Sequence, residues 1–324
     1  MQAQSYNRYR VCGLQLRSST AFPELAEDEC AGHDVPADIE FEICRDLAPE
    51  AGAPIVMRRE EEDGAPWLTC TSTERGYQLR FSGLADFLVD RAGHRVAGAA
   101  HPGTPPETMR HLFLDQVIPR MLNLRGVEAL HASAIHFEGG AYAFIGGSGQ
   151  GKSTLAAAFH RAGVPVLCDD CLLVAGDSGQ VRVAPAYPGF RLWDDSREAL
   201  FGDSHPTLPV SHSSSKRRIL APAPDCAPPD RRFLLRGVYA LHRDEEGSPL
   251  QAPAIEALSL REAFMALTGC AFRLDLKDQA AILRQMHLME QVAREVPVSR
   301  LRLPDDLGRL DSACDRILRD MEGR

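Results

Sequence analysis

The sequence predicts an α/β fold for most of the chain, with a smaller β-rich domain ahead of it. Three observations lead there. Between residues 141 and 167 a strand, a glycine loop, a helix and another strand follow in turn, the order of a sheet built with crossover helices. Residues 1–100 instead hold short alternating stretches separated by Gly, Pro and Asp. A Gly/Pro-rich break, AAHPGTPP at 99–106, divides the two regions. The expected domains are therefore 1–105 and 106–324.

In the first region, residues 9–16 alternate weakly, while 39–43 and 77–81 alternate cleanly. Residues 84–94 read as two short strands around a turn at Gly93. A helix is expected over 107–124, with Leu112, Val117, Met121 and Leu124 near helical spacing, a bend at Pro119 and an end at Gly126. Strands follow at 127–135 and 141–145, a helix at 152–162 closed by Gly163, and a strand at 164–167. Residues 203–230 are rich in Ser and Pro and read as loop. A strand at 238–241, helices at 260–271 and 278–295, and a strand at 298–303 complete the sheet. The tail, 306–321, is amphipathic, with Leu307, Leu310, Cys314, Ile317 and Met321 on one side.

Composition narrows the function classes. With 44% hydrophobic residues in a 324-residue chain, there is ample apolar surface to order a core. A formal charge of −9 gives no net pull toward nucleic acid. No run of about 18 apolar residues offers a membrane span, and the polar start MQAQSYNRYR lacks the apolar core of a secretory signal. Nine cysteines without framework spacing point to reduced thiols and a cytoplasmic protein. Cys168 and Cys171 form a C-x-x-C with no second pair at zinc spacing, which favours packing over metal binding. Only three lysines occur, at 152, 216 and 277. A lysine retained in so arginine-rich a chain marks a place where a guanidinium would not serve.

One of them closes the most informative segment, Gly146-Gly147-Ser148-Gly149-Gln150-Gly151-Lys152-Ser153-Thr154, which fits G-x-x-x-x-G-K-[ST]. Successive N–H groups, uncrowded by side chains, can wrap a phosphate. The helix that follows adds its positive end, Lys152 supplies an ammonium for the outer phosphates, and the Ser153 hydroxyl can ligate Mg2+. Nucleotide binding is the expectation. Seventeen residues beyond Lys152 come two adjacent acids, Asp169 and Asp170, at a strand end where open α/β sheets bind ligands. One acid could hold Mg2+ and its neighbour could take a proton from an attacking hydroxyl. The chain carries neither an LSGGQ-like signature nor N-K-x-D, which excludes ABC-type ATPases and Ras-like GTPases. His131 alone reads as a structural histidine.

Taken together, His131, the loop 146–153 and the pair Asp169-Asp170 resemble the core of the HPr kinase/phosphorylase family, above all its HPr-kinase-like members, which include kinases of lasso-peptide precursors. The resemblance spans about residues 126–174. It implies a P-loop sheet of the kind shared with phosphoenolpyruvate carboxykinase, and an ATP- and Mg2+-dependent kinase acting on a serine hydroxyl of a peptide or protein. It assigns Asp169 as base, His131 as the group tuning it, Asp170 as an aid to the metal, and Lys152 and Ser153 to triphosphate and metal. Residues 1–100 do not look like the N-terminal domain of true HPr kinases, which makes a modified-peptide precursor the better acceptor. The family's later Glu-Arg-Gly signature has only Tyr187-Pro-Gly-Phe-Arg191-Leu-Trp193 as its nearest counterpart, keeping the arginine and losing the acid.

Arg191 is thus either a phosphate contact or half of a structural salt bridge. Ser213–Arg218 is either a lid carrying Lys216 or Arg217 to the phosphoryl group or a solvated basic loop. A nucleotide-gated binding module and a small-molecule kinase are the alternative functions, and the sequence leaves a homo-oligomer open.

Overall fold

The computed structural model describes residues 6–25, 36–177, 179–187, 189–202, 205–212, 214–220, 231–242, 250 and 252–324. Two compact units emerge, one formed by 1–127, 210–214 and 273–283, the other by 128–209, 215–272 and 284–324.

The first unit is an eight-stranded sheet. Its strands are β1 (Asn7–Val11), β2 (Leu14–Ser18), β3 (Ile39–Ile43), β4 (Ile55–Glu60), β5 (Pro66–Thr73), β6 (Gly76–Phe81), β7 (Ala85–Asp90) and β8 (Arg95–Ala100), in the order β1-β2-β3-β8-β7-β6-β5-β4. The single strand expected over 9–16 is instead a hairpin. Cys12 and Gly13 both take positive φ, the requirement of a tight two-residue turn. Gly93, at φ 70°, turns the chain between β7 and β8 as expected, but the second strand lies beyond the expected stretch and runs on through the start of the Gly/Pro-rich break.

The helix expected over 107–124 is broken into pieces. α1 (Pro106–Leu112) passes into a π-turn over Phe113–Val117, then α2 (Ile118–Met121) and a 3-10 turn over Leu122–Arg125. Pro119 has no N–H to give and its ring crowds the preceding turn, so the wider turn ahead of it relieves the clash. Gly126 ends the segment at φ 71°. Phe22, Phe41, Phe87 and Phe113 form the core of this unit, with Phe41 stacked on Phe113 at 4.0 Å between ring centres.

In the second unit β9 (Glu128–Leu130) and β10 (Ala132–Phe137) replace the single strand expected over 127–135, with His131 at the break. Next come β11 (Gly140–Ile145), α3 (Lys152–Arg161), β12 (Val166–Cys168), β13 (Leu172–Asp177), β14 (Gln180–Pro185), β15 (Phe190–Leu192) and α4 (Asp194–Phe201). Part of the stretch expected to be loop is strand, β16 (Leu208–Ser211) and β17 (Ser214–Ile219); its residues 203, 204, 213 and 221–230 lie outside the described residues. β18 (Phe233–His242), β19 (Ala254–Ala257), α5 (Leu260–Cys270), α6 (Gln279–Glu295), β20 (Val298–Arg302) and α7 (Leu310–Glu322) finish the chain.

The main sheet runs β12-β10-β11-β18-β14-β13-β9, with β20 also paired to β18 and β19 to β20. β11, β18 and β20 are mutually parallel, so their C-terminal ends share one edge. Alternation along β11 sorts its side chains. Ala141, Ala143 and Ile145 join a cluster with Leu267 of α5 and Met289 and Val292 of α6. Tyr142 and Phe144 join Leu155 and Phe159 of α3 and Ile317 and Met321 of α7. The amphipathic tail is thus a core helix, buried through Leu310, Cys314, Ile317 and Met321.

None of the seven described cysteines is in a disulfide, and Cys168 and Cys171 are buried; Cys30 and Cys226 lie outside the described residues. No described helix is long and apolar enough to cross a membrane.

Candidate active site

The glycine loop leaves the C-terminal end of β11 and delivers the chain to α3. Gly151 stands at φ 93°, a left-handed turn that starts the helix without a side-chain cap, so the first amides of α3 are not taken up by a capping side chain. Gly146 has φ 150°, and a Cβ there would collide with the Gln150 side chain. Gln150 Oε1 accepts a hydrogen bond from the Gly147 amide at 2.7 Å. Lys152 Nζ donates to the carbonyls of Gly146 and Gly147 at 2.8 and 2.9 Å. Burial lowers the Lys152 pKa, while Asp170 and Asp169 act against that shift.

The two acids occupy different environments. Asp169 is fully enclosed. Its Oδ2 accepts the Arg191 backbone N–H at 3.1 Å, and Arg191 NH2 donates to its carbonyl at 2.9 Å. Oδ1 is buried without a hydrogen-bond partner, while the Ser153 hydroxyl near the carboxyl works to lower its pKa. Burial and the adjacent Asp170 charge push the Asp169 pKa up, against the pull of Arg191.

Asp170 keeps 24% of its side chain exposed and faces a cavity. Its Oδ2 lies 2.5 Å from Arg191 NH2, and its Oδ1 lies 3.2 Å from His131 Nε2. Burial alone would raise its pKa, but Arg191 and His131 together hold the carboxyl well below the usual range. A carboxylate only accepts, so Nε2 is the protonated nitrogen of that imidazole. Asp170 also holds φ 83°, a left-handed conformation unusual outside glycine, and such strain gathers at functional sites.

The cavity measures about 390 Å³ and opens at the C-terminal ends of β11, β18 and β20. Loop residues Ser148 to Thr154, His131, Asp170, Arg191 and Lys216 line its polar side, and Leu241, Leu303, Pro304 and Leu307 its apolar side. Asp169, Gly146 and Gly147 do not line it.

Arg191 binds the two acids and is 3% exposed, so of its two expected roles the salt bridge is the one seen. Lys216 and Arg217 part company because neighbouring strand residues point to opposite faces. Lys216 reaches the cavity, while Arg217 Nε turns to Thr207 Oγ1 at 3.0 Å. Thr154 Oγ1 bonds Ser196 Oγ at 3.2 Å.

Sequence reasoning missed Trp193 and the apolar wall formed beyond β18 and β20. The wall was signalled by Leu303-Pro304 directly after a strand, but only for a reader who already knew that strand to be parallel to β11.

No protein-family model matches the chain, and no curated protein matches it. Among solved structures it is similar to the HPr(Ser) kinase/phosphatase from Coxiella burnetii, at 14% identity over 60% of this chain and 99% of that chain, with a TM-score of 0.32. A likeness at that level leaves the chemistry to be read from the side chains.

Proposed function

We propose that the chain is an ATP-dependent kinase that phosphorylates a hydroxyl group, with a serine of a peptide or protein as acceptor. One observation carries the reading. A single cavity is lined by a glycine loop with its helix start, the Lys152 ammonium, the Ser153 hydroxyl and an ionised acid, Asp170, bonded to His131. The choice of a serine acceptor rests on the sequence resemblance alone.

ATP enters as a substrate. The loop amides and Lys152 hold its outer phosphates, which requires the ammonium to leave the carbonyls it now binds. The acceptor oxygen bonds to the γ-phosphorus, the bond from that phosphorus to the bridging oxygen breaks, and ADP departs. Asp170 orients the hydroxyl and receives its proton, with His131 steadying the carboxylate.

The roles of the two acids are therefore the reverse of those the resemblance implied. Asp169 does not line the cavity; its Oδ1 is buried without a hydrogen-bond partner, and the Ser153 hydroxyl lies near its carboxyl. The two residues offer hard oxygen donors of the kind that would hold Mg2+. When bound, Mg2+ would neutralise phosphate charge.

The test is incubation with γ-labelled ATP and Mg2+ and a panel of serine peptides, carrier proteins and metabolites, with Lys152→Ala as control. Label on a peptide or protein supports the proposal, and label on a metabolite replaces it with a small-molecule kinase. ATP binding without transfer to any acceptor would instead indicate a regulatory module.

A further inference from the structure

We infer that Lys216 is a second phosphate-binding cation of the cavity, parked on the face of Trp193 until a polyphosphate arrives. This rests on the kinase reading above and extends it to the part of the cavity wall formed by the β15–β17 ribbon.

Strand register explains the placement. In the β15–β17 pair Phe190 faces Ile219, Arg191 faces Arg218 and Leu192 faces Arg217. Trp193, still extended at φ −65°, and Lys216 come one residue beyond the paired positions. Because side chains alternate, Arg191, Trp193, Lys216 and Arg218 share one face and Arg217 takes the other. Lys216 Nζ lies 5.0 Å from the centre of the Trp193 ring, within cation–π range, and both side chains line the cavity.

The other bases of this ribbon take different positions. Arg191 is bonded to both acids. Arg218 is 2% exposed, with its guanidinium 5.5 Å from the Tyr187 ring. Arg217 is turned toward Thr207.

Charge balance gives Lys216 its task. A triphosphate brings several negative charges into a cavity that already holds the Asp170 carboxylate, and from the loop side Lys152 offers a single ammonium. Lys216 supplies a second from the β17 strand. Its charge already reaches both partners, lowering the pKa of Lys152 and helping to hold Asp170 ionised. Trp193 is 44% exposed, and a cation–π contact so open to water is weak beside a charge-assisted hydrogen bond to phosphate. The four-carbon stem lets the ammonium move without the strand moving.

The experiment titrates Trp67→Phe protein, whose remaining tryptophan is Trp193, with ATP·Mg2+ and with inorganic tripolyphosphate. Calorimetry gives affinity and fluorescence gives the state of the indole. In that background Lys216→Met should bind both ligands about tenfold more weakly. It should also lose the emission change that accompanies binding, while Lys216→Arg keeps most of the affinity. Equal loss with tripolyphosphate places the contact on phosphate rather than on the base. Unchanged affinity in Lys216→Met, with loss in Lys152→Ala, overturns this inference and leaves the kinase reading standing. No binding by the parent protein overturns both. Should Lys216→Met fail to fold, Lys216→Gln serves the same comparison.

Discussion

The buried acids of the first unit and the acid pair of the second are held in opposite ways. In the first, each acid meets bases that close it off: Glu24 takes both oxygens to Arg110 Nε at 2.9 and 3.0 Å, Asp86 is held by Arg80 and His101, and Asp115 by His111 at 2.5 Å. In the second, Asp169 and Asp170 stand side by side and share one arginine, and one of them opens into a cavity at φ 83°. Matched pairs hold a fold together. Two acids forced together on a strained backbone, with one left to face a ligand, are costly arrangements that local stability does not explain.

The largest effect expected from breaking this contrast is at Lys152. Lys152→Ala should reduce phosphoryl transfer by about a thousandfold or more, with the circular dichroism of the folded protein retained. Burial disfavours the Lys152 charge, so its removal should shift the unfolding free energy by no more than about 1 kcal/mol. Next comes the acid pair. Asp170→Asn should lower turnover by about a hundredfold or more with ATP affinity within a few-fold of wild type. Asp169→Asn should show itself instead as a raised Mg2+ requirement, read from turnover against metal concentration. If both variants fail in the same way, the division of labour between the acids is wrong.

In the first unit the outcome should be reversed. Arg110→Met leaves Glu24 buried without its base and should cost roughly 3 kcal/mol in denaturant unfolding, with transfer per folded molecule unchanged. The smallest effect sharpens the comparison through pH. The Asp170 pKa is depressed in the folded state, so its contribution to stability is complete above the unfolded carboxylate value of about 3.9 and fades as pH falls below it. The stability difference between wild type and Asp170→Asn should therefore be flat from about pH 5 to 8 and narrow below about pH 4, measured by urea unfolding.

What could be read in advance follows the range of the interactions involved. β11, the loop and α3 were legible because a strand, four glycines and a helix start are written within fifteen residues. Gly126 and Pro119 were legible for the same local reason. The π-turn before Pro119 was not, because a proline announces a disturbance without saying how the chain absorbs it. The strands over 208–219 were hidden by Ser and Pro, and their pairing with Phe190–Leu192 is a long-range fact. The same holds at the site. The acids were visible as neighbours, but their unequal exposure is set by Arg191, more than twenty residues on, whose backbone and side chain both turn toward Asp169.

The glycine loop is already hydrogen-bonded to itself. The Gln150 oxygen fills the Gly147 amide and Lys152 caps two carbonyls, so an incoming anion exchanges contacts rather than finding bare ones. Net affinity then comes from the margin by which ionic bonds exceed neutral ones, and the same internal partners stand ready to retake their places. On the proposed kinase reading, a loop braced in this way would hold its shape as a nucleotide enters or leaves.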